Sequence, residues 1–133
     1  MKPLLTLIFS LTTLFATSGE EIFNNTCASC HDKILSMAKT KDRWERLKAP
    51  PMNEVIDRMK RHVPVKDIDI QRHILILFIR DYLENPDILI GLCDPHAYDQ
   101  FGTMPSFKGK LTKEEIKAVS EWVYDTFEDV GFK

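Results

Sequence analysis

Cys27-Ala28-Ser29-Cys30-His31 places two thiols three residues apart, with an imidazole directly after the second. On one turn of helix, two such thiols can add to the two vinyl groups along one edge of a porphyrin. The histidine then reaches under the ring to the iron. This C-x-x-C-H spacing is an attachment pattern for c-type haem. It predicts one haem c per chain, bound covalently through Cys27 and Cys30, with His31 as an axial ligand of the iron. Other chemistries share parts of the pattern. A thioredoxin-like dithiol needs a strand before the motif and a helix after it, and residues 19–26 read as neither strand nor alternating pattern. A zinc site needs a second ligand pair, for which Cys93 with His96 is conceivable. A disulfide between Cys27 and Cys30 would be strained and labile.

Upstream of the motif, Lys2 gives a positive start, residues 4–15 are mostly apolar, and Ala16, Thr17 and Ser18 are small. That order predicts a signal peptide, residues 1–18, cleaved before Gly19. The apolar run is short beside the roughly 20 residues of a membrane span. An uncleaved anchor and a buried core helix are the competing readings. Export makes the expected location periplasmic or otherwise exported and soluble, membrane-anchored if the signal stays uncleaved. It leaves residues 19–133 as one domain, a cytochrome c domain on the haem reading.

The chain of 133 residues carries 18 Lys/Arg against 20 Asp/Glu. The near balance hides a split: residues 39–66 hold nine basic against four acidic side chains, and residues 67–133 hold seven against thirteen. A dipolar chain of this kind argues against nucleic acid as the main partner.

Downstream, the periodicity predicts helices. Glu20 to Cys30 reads as a short one, with Ile22 and Phe23 on its apolar side. Residues 32–50 read as an irregular basic loop with a turn of helix around 42–47. Met52, Val55, Ile56, Met59 and Val63 recur at helical spacing until Pro64 stops them. Residues 67–85 read as a helix buried on more than one side, capped by Asp67 and ended by Pro86. Residues 86–111, with three Gly and three Pro, read largely as loop. Thr112-Lys113-Glu114-Glu115 is a capping box that opens a last helix carrying Ile116, Val119, Trp122, Val123 and Phe127. The expected class is all-α, with about four or five helices wrapped around the haem.

With these features the chain resembles the monohaem class I cytochrome c family, and the resemblance implies that family's fold. There, a Gly and an aromatic residue precede the first haem cysteine by eight and four positions; Gly19 and Phe23 are similar in placement. An apolar residue and an aromatic three later on the last helix cross them, as Val119 and Trp122 would here. The resemblance further implies Met104, in Gly102-Thr103-Met104-Pro105, as the second axial ligand. It implies Pro50, in Ala49-Pro50-Pro51-Met52, as the carbonyl partner of the ligand histidine. The glycine-rich connection that often follows the motif is missing, residues 64–99 are longer and more apolar than a minimal member needs, and Cys93 has no family role.

Among the remaining candidates, His96 is the rival to Met104 as sixth ligand. Met52 and Met59 lie on an apolar stripe and read as core, Met37 follows His31 too closely, and His62 and His73 read as solvated. Trp44 is a candidate for a propionate contact or plain packing. The expected function is one-electron transfer between redox proteins, peripheral docking to a membrane complex included. No catalytic residue and no small-molecule substrate are expected. The alternatives are a haem subunit of a larger oxidoreductase complex and a peroxidase-like or gas-binding haem protein.

Overall fold

The structure, a computed structural model, describes residues 17–133, so the expected signal segment lies, up to Ala16, outside the described residues. Six α-helices and one short 3-10 turn account for the regular structure among them, with no strand: the chain is all-α. The helices are α1 (Gly19–Thr26), α2 (Met37–Arg43), α3 (Met52–His62), α4 (Ile68–Glu84), α5 (Pro95–Phe101) and α6 (Lys113–Phe127), with the 3-10 turn at Trp44–Arg46. No helix among the described residues is long and apolar enough to cross a membrane. The count exceeds the expected four or five because two seven-residue helices, α2 and α5, form inside stretches read as loop.

Each helix start has a local cause. Ser18 caps α1 by accepting from the Glu21 amide at 3.2 Å, and Asp67 caps α4 through Ile70 N at 3.0 Å. At α6 the box closes in both directions, Glu115 N to Thr112 Oγ1 at 3.2 Å and Thr112 N to Glu115 Oε2 at 2.8 Å. Gln71 of α4 reaches back with its amide to the carbonyls of Lys60 and Val63, 3.2 and 2.6 Å away. It thereby satisfies carbonyls that the end of α3 leaves without intrahelical partners.

The core forms where α1 and α6 meet. Gly19 sits against the Ala118 carbonyl and the Trp122 Cβ, so closely that a methyl group there would overlap both. Phe23, fully buried, fills the crossing against Trp122 and Phe127, with ring centroids 5.1 and 6.4 Å away. Ile56 of α3, Leu75 of α4 and Val119, Tyr124 and Phe127 of α6 complete the deepest layer. α4 buries Leu75, Ile76 and Leu83 and leaves Ile70, Ile74 and Leu77 outside. Its apolar run is therefore not buried throughout.

Candidate functional site

Directly after α1 the chain passes through residues 27–31 and runs alongside the start of α3. Met52 N donates to Asp32 O at 2.9 Å and Asn53 N to Lys33 O at 3.2 Å. Buried Asn53 accepts from Leu35 N at 3.1 Å and donates to Leu35 O at 2.9 Å. These bonds tie the backbone that follows His31 to the start of α3, next to Pro50. Its Nδ1 then stands 2.7 Å from the carbonyl oxygen of Pro50. A carbonyl can only accept, so Nδ1 carries the hydrogen and Nε2 keeps its lone pair. Burial holds the His31 pKa below its ordinary value, against the opposing pull of the Pro50 bond. The imidazole is neutral, the form in which it ligates metals.

His31 forms part of the wall of a cavity of about 460 Å³ that also takes in Cys27, Cys30, Pro50 and Met104. The remaining wall is chiefly apolar, with Phe23 from α1, Val55 and Met59 from α3, Phe78 from α4 and Val119 and Val123 from α6. All three cysteines are free thiols. Burial, with the neighbouring Cys30 adding to it, pushes the Cys27 thiol up to about 11, so it is protonated at neutral pH.

Met104 arrives on a separate loop. Gly102, at φ +67°, ends α5 with its N–H on Tyr98 O at 2.9 Å. Two residues beyond Met104, the Ser106 hydroxyl donates to Glu84 O at 2.5 Å, and Phe107 N donates to Leu83 O at 2.8 Å. The methionine is thus held between a turn and the end of α4. Met52 and Met59 border the same cavity, so three thioethers face it from two elements.

Two candidates stand elsewhere. His96 is exposed and borders an outer groove beside Met37 and Asp42. Trp44 also lines that groove and packs edge-on against Phe101, centroids 4.9 Å apart. Phe101 lines the cavity and Trp44 does not. The cavity has instead a polar corner that sequence reasoning missed, formed by Tyr82, Tyr98 and Cys93. The two hydroxyls are 3.4 Å apart. Burial raises the pKa of all three groups, so each is neutral and able to donate. Gly91 belongs to the same corner: a methyl group on it would overlap the Tyr98 hydroxyl.

No family model matches the chain, and no solved structure does. It is 32% identical over 130 residues to an uncharacterized protein of Aquifex aeolicus (strain VF5), a match that spans 92% of this chain and 82% of that one. At that identity and coverage the chain belongs to the family of that Aquifex protein.

Proposed function

We propose that the chain is an exported monohaem cytochrome c of the class I fold that carries single electrons between respiratory redox proteins. The observation that carries this reading is the meeting of Cys27, Cys30, His31 and Met104 on the wall of one apolar cavity. Its volume, about 460 Å³, falls in the roughly 300–1,000 Å³ range of cofactor sites. The donor set suits haem: two free thiols for thioether bonds, a neutral imidazole and a thioether from a separate loop. Haem bound there supplies a one-electron Fe(II)/Fe(III) couple.

The chain's own groups then have defined tasks. Pro50 fixes the tautomer and orientation of His31 and raises its basicity. Phe23, Val119 and Val123 keep water from the interior wall. The Tyr82 hydroxyl donates to that of Tyr98, which leaves the Tyr98 hydroxyl as the donor this corner offers to acidic groups. His31 and Met104 would hold the iron between them, which would suit electron transfer and leave no place for a substrate.

The competing chemistries have less support. No group of three or more His, Cys, Asp or Glu gathers as a metal site among the described residues, so Cys93 and His96 do not complete a zinc set with the motif. The motif follows a helix where a thioredoxin-like setting has a strand.

A gel of denatured protein stained for haem peroxidase activity tests the reading. The exported chain keeps its stain, and the Cys27→Ala/Cys30→Ala double variant loses it. Complete extraction of colour from the wild type by acid acetone overturns covalent attachment.

A further inference from the structure

α4 has three faces. Phe78, Ile79 and Tyr82 border the cavity, and Leu75, Ile76 and Leu83 are buried in the core. The third face carries Ile70, Ile74 and Leu77, spaced as one helical stripe and 52%, 38% and 46% exposed. A helix face turned to water is ordinarily polar; this one is aliphatic over two turns. Lys66 stands at its N-terminal end and Asp81 at its C-terminal end, both exposed. Neither makes an ion pair among the described residues; Asp81 only accepts, at Oδ1, from the Asn85 amide. Asp69 and Arg80, together on one flank of the stripe, also lack an ion partner there.

We propose that this face is a dimerisation surface and that its occupant is α4 of a second copy of this chain, packed antiparallel across a twofold axis. An axis between His73 and Ile74 sets Ile70 against Leu77 of the second copy. The same register sets Lys66 against Asp81 of the second copy, once at each end, because the contact is isologous. Along the flank, Arg80 comes within reach of Asp69 of the second copy. Parallel packing would instead oppose Lys66 to Lys66 and Asp81 to Asp81 and align the two helix dipoles, so the charges select the antiparallel form. A lipid surface would favour a basic border, and this border is half acidic. One helix face is small beside the roughly 1,200–2,000 Å² of a stable interface, so the dimer is weak and forms with rising concentration.

Sedimentation velocity of the folded, natively produced chain, from low micromolar to near-millimolar concentration, tests the proposal. The wild type passes from monomer to dimer. Asp81→Lys, which opposes two lysines at each end, weakens the dimer about tenfold. Lys66→Asp combined with Asp81→Lys reverses each pair and restores it. Leu77→Glu abolishes the dimer with the helical circular dichroism unchanged, since all three positions are exposed. A wild type that stays monomeric throughout overturns the proposal. So does a double swap no better than the single one, and so does a monomer that binds phosphatidylcholine vesicles through Leu77.

Discussion

At His31 one ring nitrogen donates to Pro50 and the other keeps its lone pair, so on the proposed function the second iron ligand would decide between a carrier and an enzyme. Met104 borders the cavity from its own loop, and His96, the rival read from sequence, is exposed in the outer groove. Thioether sulfur favours Fe(II), whereas a second imidazole or water favours Fe(III). Met104→Ala should therefore abolish the weak red-edge charge-transfer band of the oxidised protein, lower the potential, and open the iron to carbon monoxide. His96→Ala should leave all three unchanged. Met59→Ala, removing a buried thioether that faces the same cavity, should keep the band and cost roughly 2–5 kcal/mol of stability. Spectra of both oxidation states with a potentiometric titration check this set. A band lost in Met59→Ala and kept in Met104→Ala would move the ligand to α3.

Gly19 is the position where one helix depends on another. A methyl group there strikes a backbone carbonyl of α6, which cannot swing aside as a side-chain end would. Gly19→Ala should cost about 1–3 kcal/mol, read from urea denaturation, with His31 and its Pro50 partner untouched. Ser18 adds a processing detail. Cleavage before Gly19 would remove the hydroxyl that caps α1, at a cost of roughly 1 kcal/mol. Both ends of α4 and the start of α6 were legible in the sequence to within a residue, because each couples a long apolar period to a cap. α2 and α5 were not, since seven residues carry too little periodicity. Yet each had a cap in view, Ser36 before Met37 and Asp94 before Pro95, the latter with proline at the first helical position. The apolar run at residues 74–79 alone would also suit a buried strand. Asp67, Pro86 and the length between them decided for a helix but not for its orientation, since period does not tell a side covered by the core from one left bare. The corner of Tyr82, Tyr98 and Cys93 was hidden for a different reason, as it brings α4, α5 and the loop between them together in space.

Over the whole molecule the charge split meets the cavity at Lys48. This exposed lysine belongs to the basic segment, borders the cavity and places its Nζ 3.4 Å from Ser29 O, inside the thiol motif. A basic group at that edge should steer acidic redox partners toward it. Electron-transfer rates with an acidic partner should fall as ionic strength rises, and Lys48→Glu should slow association several-fold while flattening that dependence. Stopped-flow mixing across a salt series measures both. A rate that rises with salt would move the docking surface to the acidic half.

The contact between α1 and α6 also sets an order of events. An eight-residue helix has little stability alone in water, and α1 finds its partner only in the last helix of the chain. A chain delivered N-terminus first therefore presents residues 27–31 before anything exists to pack against the helix ahead of them. On the proposed function, their backbone would stay open to haem attachment until α6 emerges, and closure of the fold would then end the opportunity. The topology would act as a clock: the segment proposed for haem attachment comes out early, and the helix that packs against α1 comes out well after it.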